Sequence, residues 1–580
     1  MILSIKKIFN SSFIILFLGF IISTAITLLP QVTRETRAVW VSTNFRLDWP
    51  PPTFDQEKQK QTLVKIFDDI KFKNLNTVFF QVRSNGTVLF NSSFEPMSPH
   101  LTGKVGGKPN YDPLKFAIEQ AHEHGLEIHA WINVVRCFSG TETATFQDPY
   151  HIAQKKPEWI VEDIRDGAKS FWLDPGLPEV REYLTELILE VAKNYDVDGI
   201  HLDFIRYPGK EFDDEFSFGI YGNGLTRDEW RRKNITSLVE SIYKKIKIHN
   251  KYIKLGAAPI GVYKNLSGMY GWESFNEIYQ DTREWLKKGI IDYVAPQIYW
   301  SFDENTRFDL LAKDWIDNSF GRSIILGIGA YKDNVISQLE NMIDFSRKIN
   351  SDGIAFFRYS NIKDYQFARF EHKTLPSLMN WINGINPDAP KELTANILDI
   401  DKKEIVLKWK LGEKNSDDSL SYFALYNLPH PAAELLPDYL LDIIPAESLT
   451  HMLKIEKPKK INYYFALKSV SKLWNESVDN SNISAVKFDE LSLLAKLNDT
   501  VSKPLLINKD GNAILLINSD FADEIKIYGI NGNSKKEITN KAINVGKNII
   551  AIGSVGNGIT QLAIKLICTG KEFELKYNRN

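Results

Sequence analysis

From Arg37 to about Trp381 the chain alternates short apolar runs with amphipathic stretches. The runs are RAVWVST (37–43), NTVFFQVR (76–83), LEIHAWIN (126–133), VDGIHLDF (197–204), IKLGAAPI (253–260), IDYVAPQIY (291–299), SIILGIGA (323–330) and DGIAFFRY (352–359). Each reads as a buried strand. Between them lie helical patterns. DQEKQKQTLVKIFDDIKFKN places Leu63, Ile66, Phe67 and Ile70 on one helix face. DPLKFAIEQAHEHG opens on an Asp-Pro cap and closes on Gly125, and LPEVREYLTELILEVAKNY carries another apolar stripe. Eight buried strands, each followed by a helix, predict an α/β fold, a (β/α)8 TIM barrel spanning residues 31–384. The rival is a doubly wound open sheet. It needs no special number of strands, and no glycine-rich phosphate loop follows the first run.

The helical pattern stops in WINGINPDAPKELTANI, where Pro387 and Pro390 mark a linker. EIVLKWKL, SYFALYNL and INYYFALKSVS alternate or are rich in aromatics, which predicts a β-sandwich over 388–487. A further β-rich module occupies 488–580, with NAILLINSD, EIKIYGI and ITQLAIKLI. Neither module gathers titratable residues at strand ends, so both read as accessory.

A chain of 580 residues needs more than one core. Apolar content of 43% and charged content of 25% are those of a soluble globular protein. A net charge of -2 without a basic run argues against a nucleic-acid partner. Thirteen Trp and twenty-three Tyr suit carbohydrate binding and suit bulky cores equally. At the N-terminus Lys6 and Lys7 precede an apolar run from Phe13 to Leu29, so residues 1–30 read as an export signal. The expected location is the periplasm or cell surface of a bacterium. The run is marginal for a membrane span of about 20 residues, and the membrane is a partner only if the segment is retained as an anchor. No cysteine follows the run, which excludes a lipoprotein-type anchor. Cys137 and Cys568 imply neither a disulfide framework nor a zinc site.

In a barrel of this kind the residues closing each strand converge on one face. The strand ends offer Trp40 and Asn44, then Gln81 and Arg83, then His129, Trp131, Asn133 and Arg136. Further ends offer His201, Asp203, Arg206 and Tyr207, then Gln297, Tyr299 and Trp300, and finally Arg358 and Tyr359. Planar amides, aromatics and cations in one cleft suit hydroxyl-rich rings. Trp40, Trp131, Tyr207, Tyr299 and Trp300 are candidate stacking surfaces. Gln81, Arg83, Asn133, Arg136, His201 and Gln297 are candidates to orient polar groups of a polysaccharide. Asp203 has two readings. It is a structural acid paired with Arg206 or Arg83, or a nucleophile or charge stabiliser beneath a sugar carbon, where an ionised carboxylate opposes oxocarbenium charge. His201 either bonds to Asp203 or fills the layer below it.

The segments ETRAVWVST, FFQVRSNGTVLF with PMSPHLTG, YDPLKFAIEQAHEHGLEIHAWINVVR, WLDPGLPEVREYL, DGIHLDFIRYP and DYVAPQIYW resemble, in this order, the glycosyl-hydrolase-like family 10 proteins, once called domain of unknown function 187. The resemblance covers roughly Arg34 to Leu378. It implies a (β/α)8 barrel in exported bacterial proteins with glycoside hydrolase activity, and in at least one member group action on peptidoglycan strands stripped of stem peptides. It places Asp203 where related retaining barrels keep their nucleophile. The sandwich resembles a fibronectin type III module.

A glycosidase of this type also needs a general acid, about 5 Å from the nucleophile if retaining and further if inverting. Strands five to eight end on no sharp Asp or Glu. The loop candidates are Glu95, Asp174, Glu273 and Asp303, with Asp174 and Glu273 ahead. Asp174 otherwise caps the helix near Pro178 or braces its loop, and Glu95 and Asp303 are otherwise solvated. EFDDEF (211–216) lacks the alternation of a calcium loop, and GGK (106–108) lacks the spacing of a phosphate loop, so no metal or cofactor is expected. The rival functions are a surface glycan-binding protein whose barrel has lost catalysis, and a deacetylase or lyase.

Overall fold

The computed structural model describes residues 34–141, 143–165, 167–399, 404–413, 415, 420–454, 462–487, 504–509, 512–519, 523–532, 534–543, 546–556, 558–567 and 572–577. The expected export segment and Cys568 lie outside the described residues.

Eight parallel strands close on themselves. They are β1 (Thr36–Val41), β2 (Thr77–Ser84), β3 (Glu127–Asn133), β4 (Gly199–Asp203), β5 (Lys254–Ala257), β6 (Tyr293–Val294), β7 (Ser323–Ile328) and β8 (Gly353–Phe356). Neighbours pair in sequence order, and β8 pairs back onto β1 with Thr36 opposite Gly353. The predicted barrel is therefore the observed one. β1 to β4 are buried along their whole length, because helices cover the outer face and side chains fill the inner one. β6 is shorter than the apolar run suggests. Pro296 has no N–H for the ladder, so pairing continues through single bonds from Ala295 to Ala257 and from Gln297 to Pro259.

The predicted helices form at Gln56–Phe72, Pro113–Glu123 and Pro178–Asn194. Asp55 and Asp112 accept backbone N–H groups at the first two N-termini. The regular alternation fails after β8. Only the turn Tyr359–Ile362 follows, and the chain then runs back along the barrel, where Leu375 accepts from the Glu35 amide at its lower end.

Inside the barrel one layer is unusually polar. Phe79 stacks on His201 with centroids 4.0 Å apart, and Tyr293 and His129 pack beside them. Two glycines make room: a Cβ on Gly256 would lie 2.0 Å from the Tyr293 ring, and one on Gly199 2.6 Å from His129.

Behind the barrel, antiparallel sheets of three strands (391–399, 404–410, 450–454) and four (440–445, 422–428, 462–470, 484–487) make a sandwich around Leu407, Phe423, Phe465 and Leu467. Strands between 505 and 576 form two more small sheets. The sandwich is docked on the lower end of the barrel. Trp474 stacks on Tyr422 and donates to Glu127 of β3, Lys71 pairs with Asp442, and Arg34 pairs with Glu476. Among the described residues no helix is long and apolar enough to cross a membrane.

Candidate active site

Asp203 closes β4 at the upper, C-terminal end of the barrel and is 8% exposed. The residue after it, Phe204, takes a left-handed conformation (φ 49°), which turns the chain sharply out of the strand. That turn aims the Phe204 amide back at Asp203 Oδ1, 2.7 Å away. Trp131, on the neighbouring β3, donates its indole N–H to Oδ2 at 3.2 Å. Gln297, after β6, reaches Oδ1 at 3.5 Å and anchors its amide on the Ala258 carbonyl at 2.9 Å.

Two guanidinium groups stand beside this carboxylate without forming an ion pair with it. Arg136 lies 3.5 Å over the Phe204 ring. Arg206 lies against Trp172, Phe204 and Trp272 at 4.8–5.3 Å. Burial pulls Arg136 down to about 10 against the attraction of Asp203. It pulls Arg206 down to about 9, with Asp203 opposing and Arg136 and Arg165 adding to the fall. Both remain cations at neutral pH. Burial raises the Asp203 carboxyl above the usual range, and the Phe204 amide, Arg206, Arg136 and Trp131 oppose that rise.

The aromatic surface beside Asp203 is Tyr299 stacked on Phe357 (5.5 Å), with Tyr331 edge-on to Tyr299 (5.9 Å). Burial and the Asp203 charge both push the Tyr299 hydroxyl up, so it stays protonated. Trp300 is half-buried, with the Lys332 ammonium 5.6 Å over its ring.

Other residues expected at the site are placed elsewhere. Arg83 is fully buried and bidentate to Glu95 (2.5 and 2.7 Å), and it also donates to the carbonyls of Asn133 and Val134. Arg83 is therefore not the partner of Asp203, and Glu95 is not solvated. Gln81 spends its carbonyl on Ser42, Thr43 and Asn44, fixing the loop after β1, and its amide on Asn133. Arg358 holds the same loop through Asp48 (2.6 Å) and the Leu47 carbonyl. Tyr207 is wholly buried against Phe212 and Tyr279 and accepts from Asn234, so it offers no stacking face. Trp40 is 1% exposed and faces the barrel interior.

His201 does not bond to Asp203. Its Nε2 accepts from Trp40 at 3.0 Å, and its Nδ1 meets the Tyr293 hydroxyl at 2.9 Å. Burial, with His129 nearby, holds it well below the usual histidine range and hence neutral. The proton therefore sits on Nδ1 and is donated to Tyr293, which donates in turn to His129 Nδ1 (2.6 Å). His129 then donates from Nε2 to Glu127 at 2.5 Å. His201 and His129 are links in a directed chain down the barrel axis.

The two acids placed first for proton donation differ. Asp174 sits in the turn before the helix at 178–194, accepting from the Gly176 amide at 2.8 Å. It lies beside Ser217 and Trp230 of the outer layer, and burial pushes it up to about 6. Glu273 braces its own loop by accepting from Asn265 and Asn276. Burial would raise Glu273, but those donors hold it below the usual range, the wrong direction for a proton donor. Asp303 accepts from Gln338 at 2.6 Å. Among the described residues no group of three or more His, Cys, Asp or Glu could hold a metal ion.

Sequence reasoning missed Phe204, Arg165, Trp172, Trp272, Phe357 and Tyr331. Arg165 and Trp172 lie on a hairpin (160–165, 168–173) inserted after β3, whose arrival over the cleft has no local signal.

A family model described as Glycosyl hydrolase-like 10 matches residues 35–347. Glycosyl hydrolase DigH of Escherichia coli (strain K12) is 35% identical over 335 residues, covering 53% of this chain and 76% of the relative. Glycosyl hydrolase YngK of Bacillus subtilis (strain 168) is 36% identical over 332 residues, covering 54% of this chain and 64% of the relative. Among solved structures, the PgaB (BpsB) glycoside hydrolase domain from Bordetella bronchiseptica aligns at a TM-score of 0.43 and 13% identity, over 58% of this chain and 99% of that one.

Proposed function

The chain belongs to the glycosyl hydrolase-like 10 family and is a glycoside hydrolase, and from that premise we propose that it cleaves glycan strands of peptidoglycan or a related cell-wall polysaccharide, with Asp203 as the carboxylate beneath the bond. The observation that carries this reading is a buried acid flanked by two guanidinium groups that it does not neutralise by direct contact. As the exocyclic C–O bond breaks, positive charge develops at the anomeric carbon, and an ionised carboxylate pointing at it lowers the barrier. Trp131 and the Phe204 amide fix both oxygens before substrate arrives. Arg136 and Arg206 suit an acidic group on a neighbouring sugar, such as the lactyl carboxylate of muramic acid. Tyr299 and Phe357 supply an apolar face for a sugar ring, and Gln297 supplies an amide. Burial raises Asp174 to about 6, but its carboxyl is turned toward Ser217 and Trp230 of the outer layer, so in this reading it donates no proton to the leaving oxygen. The proposed setting is the periplasm or cell surface, supported by Lys6 and Lys7 ahead of the apolar run.

The test is reducing-end release from peptide-free peptidoglycan and from neutral polysaccharides. The parent should release ends from the former, Asp203→Asn should release at least a thousandfold fewer with unchanged folding, and Arg136→Ala should lose preference for the acidic glycan. Equal rates on acidic and neutral glycans in parent and Arg136→Ala would remove the peptidoglycan reading.

A further inference from the structure

A second concavity of about 430 Å³ opens beside the barrel, between the segment following β2 and residues that follow β3. Its lining includes Lys104, Lys108 and Lys155, with Phe94, Met97 and Tyr150. All three lysines are exposed, and among the described residues none forms an ion pair. The one acid among the lining residues is Glu95, which is bound by Arg83 and by the Tyr183 hydroxyl. The pocket therefore presents three exposed cations around one lining acid that Arg83 already neutralises, and the Glu190 carboxylate reaches the lining only through its hydrogen bonds from Ser92 and Ser93. Tyr150, 66% exposed, offers a ring face at its edge. Lys108 belongs to the GGK stretch, which has no phosphate-loop spacing but brings this ammonium to the rim.

The floor is tied to the site. Arg83 holds Glu95 and donates to the Val134 carbonyl at 3.0 Å, and the Val134 amide donates to the Asp203 carbonyl at 2.7 Å. The Arg83–Glu95 pair thus links the pocket floor, through the Val134 peptide, to the backbone of Asp203.

We infer that this pocket is a second glycan-binding site, holding carboxylate-bearing sugars of the polymer at a distance from the bond that is cut; the inference rests on the glycan-cleaving reading. Ammonium groups on flexible stems suit carboxylates spaced along an extended chain, and a partly exposed Tyr suits the ring between them.

The test uses the full chain carrying Asp203→Asn, with binding of a galacturonic acid hexamer, a chitin hexamer and a glycerol phosphate hexamer measured by calorimetry. Adding Lys104→Ala, Lys108→Ala and Lys155→Ala should weaken the galacturonate hexamer at least tenfold and leave the chitin hexamer within twofold. A control triple on outer helices (Lys244→Ala, Lys287→Ala, Lys313→Ala) should change neither, and Tyr150→Ala should weaken the galacturonate hexamer severalfold. Equal losses in pocket and control triples, or no loss in either, would overturn the pocket. Lysine-dependent binding that favours glycerol phosphate would overturn the carboxylate assignment. A parent chain that releases no reducing ends, yet binds the acidic hexamer through these lysines, would sink the hydrolytic reading and support the pocket.

Discussion

Trp131 points its indole N–H at Oδ2 of Asp203, 3.2 Å away, from the adjacent strand of the barrel. The register that places Asn133 opposite Asp203 and Trp131 opposite His201 makes this a diagonal contact between β3 and β4. Its consequence is electrostatic. Burial raises the Asp203 carboxyl, and each N–H aimed at it offsets part of that rise.

Removing one donor should therefore be visible in the pH profile. The working form is the anion, so activity falls as pH drops through the Asp203 pKa. Trp131→Phe keeps the apolar bulk and deletes the donor, which raises that pKa further. A hydrogen bond to a charged group contributes about 1.5–3 kcal/mol, and a fraction of this retained as preference for the anion shifts titration by about one unit. The acidic limb of kcat/KM should move to higher pH by that amount. A limb that stays in place would show that another group titrates there.

The directed chain through the barrel makes a stability prediction. Tyr293 is the link that both accepts from His201 and donates to His129. Tyr293→Phe leaves two buried ring nitrogens without partners, at about 1–3 kcal/mol each. Denaturant unfolding of the barrel should shift by about 3 kcal/mol in total, with its slope unchanged. His201→Phe also breaks two hydrogen bonds, but it orphans only the Trp40 indole N–H, because Tyr293 still donates to His129, so it should shift unfolding less.

The foot of the same chain rests on the sandwich. Burial would raise Glu127, but Lys254 and His129 hold it below its ordinary range, and Trp474 supplies a further donor from the other domain. Trp474→Ala deletes a large buried ring and this donor, a change that typically costs about 3–5 kcal/mol. The barrel and sandwich should then unfold in separate calorimetric transitions, and the linker near Pro387 should become sensitive to protease. A single transition at the parent temperature would show that the contact does not couple them.

These cases explain which parts of the protein were legible. Barrel strands buried on both faces announce themselves as apolar runs, and Asp203 stood out because a carboxylate ends such a run. An aromatic on a barrel strand carries no mark of depth. Trp40 faces the interior and Tyr207 the outer layer, yet both read like Tyr299 in sequence. The hairpin carrying Arg165 and Trp172 was invisible for another reason: nothing in its own residues says that it folds back over Phe204 and Trp272. The missing eighth helix is also a tertiary matter, since the chain after β8 is recruited to the lower end of the barrel.

Arg83 shows how the two kinds of residue are told apart by experiment. A guanidinium that binds substrate should, when replaced, raise KM and leave stability alone. Arg83 is instead enclosed and paired with Glu95. Breaking one partner of a buried pair leaves an uncompensated charge, at about 3–5 kcal/mol, whereas replacing both by apolar groups is often near neutral. Arg83→Met should therefore destabilise the barrel by that amount, and Arg83→Met with Glu95→Met should recover most of the loss. Because Arg83 also holds the Asn133 and Val134 carbonyls, the double variant should regain stability while kcat stays reduced, as the backbone beside Asp203 loses its tether. Recovery of stability and kcat together would confine Arg83 to the ion pair, and failure to recover either would assign its worth to the carbonyl bonds.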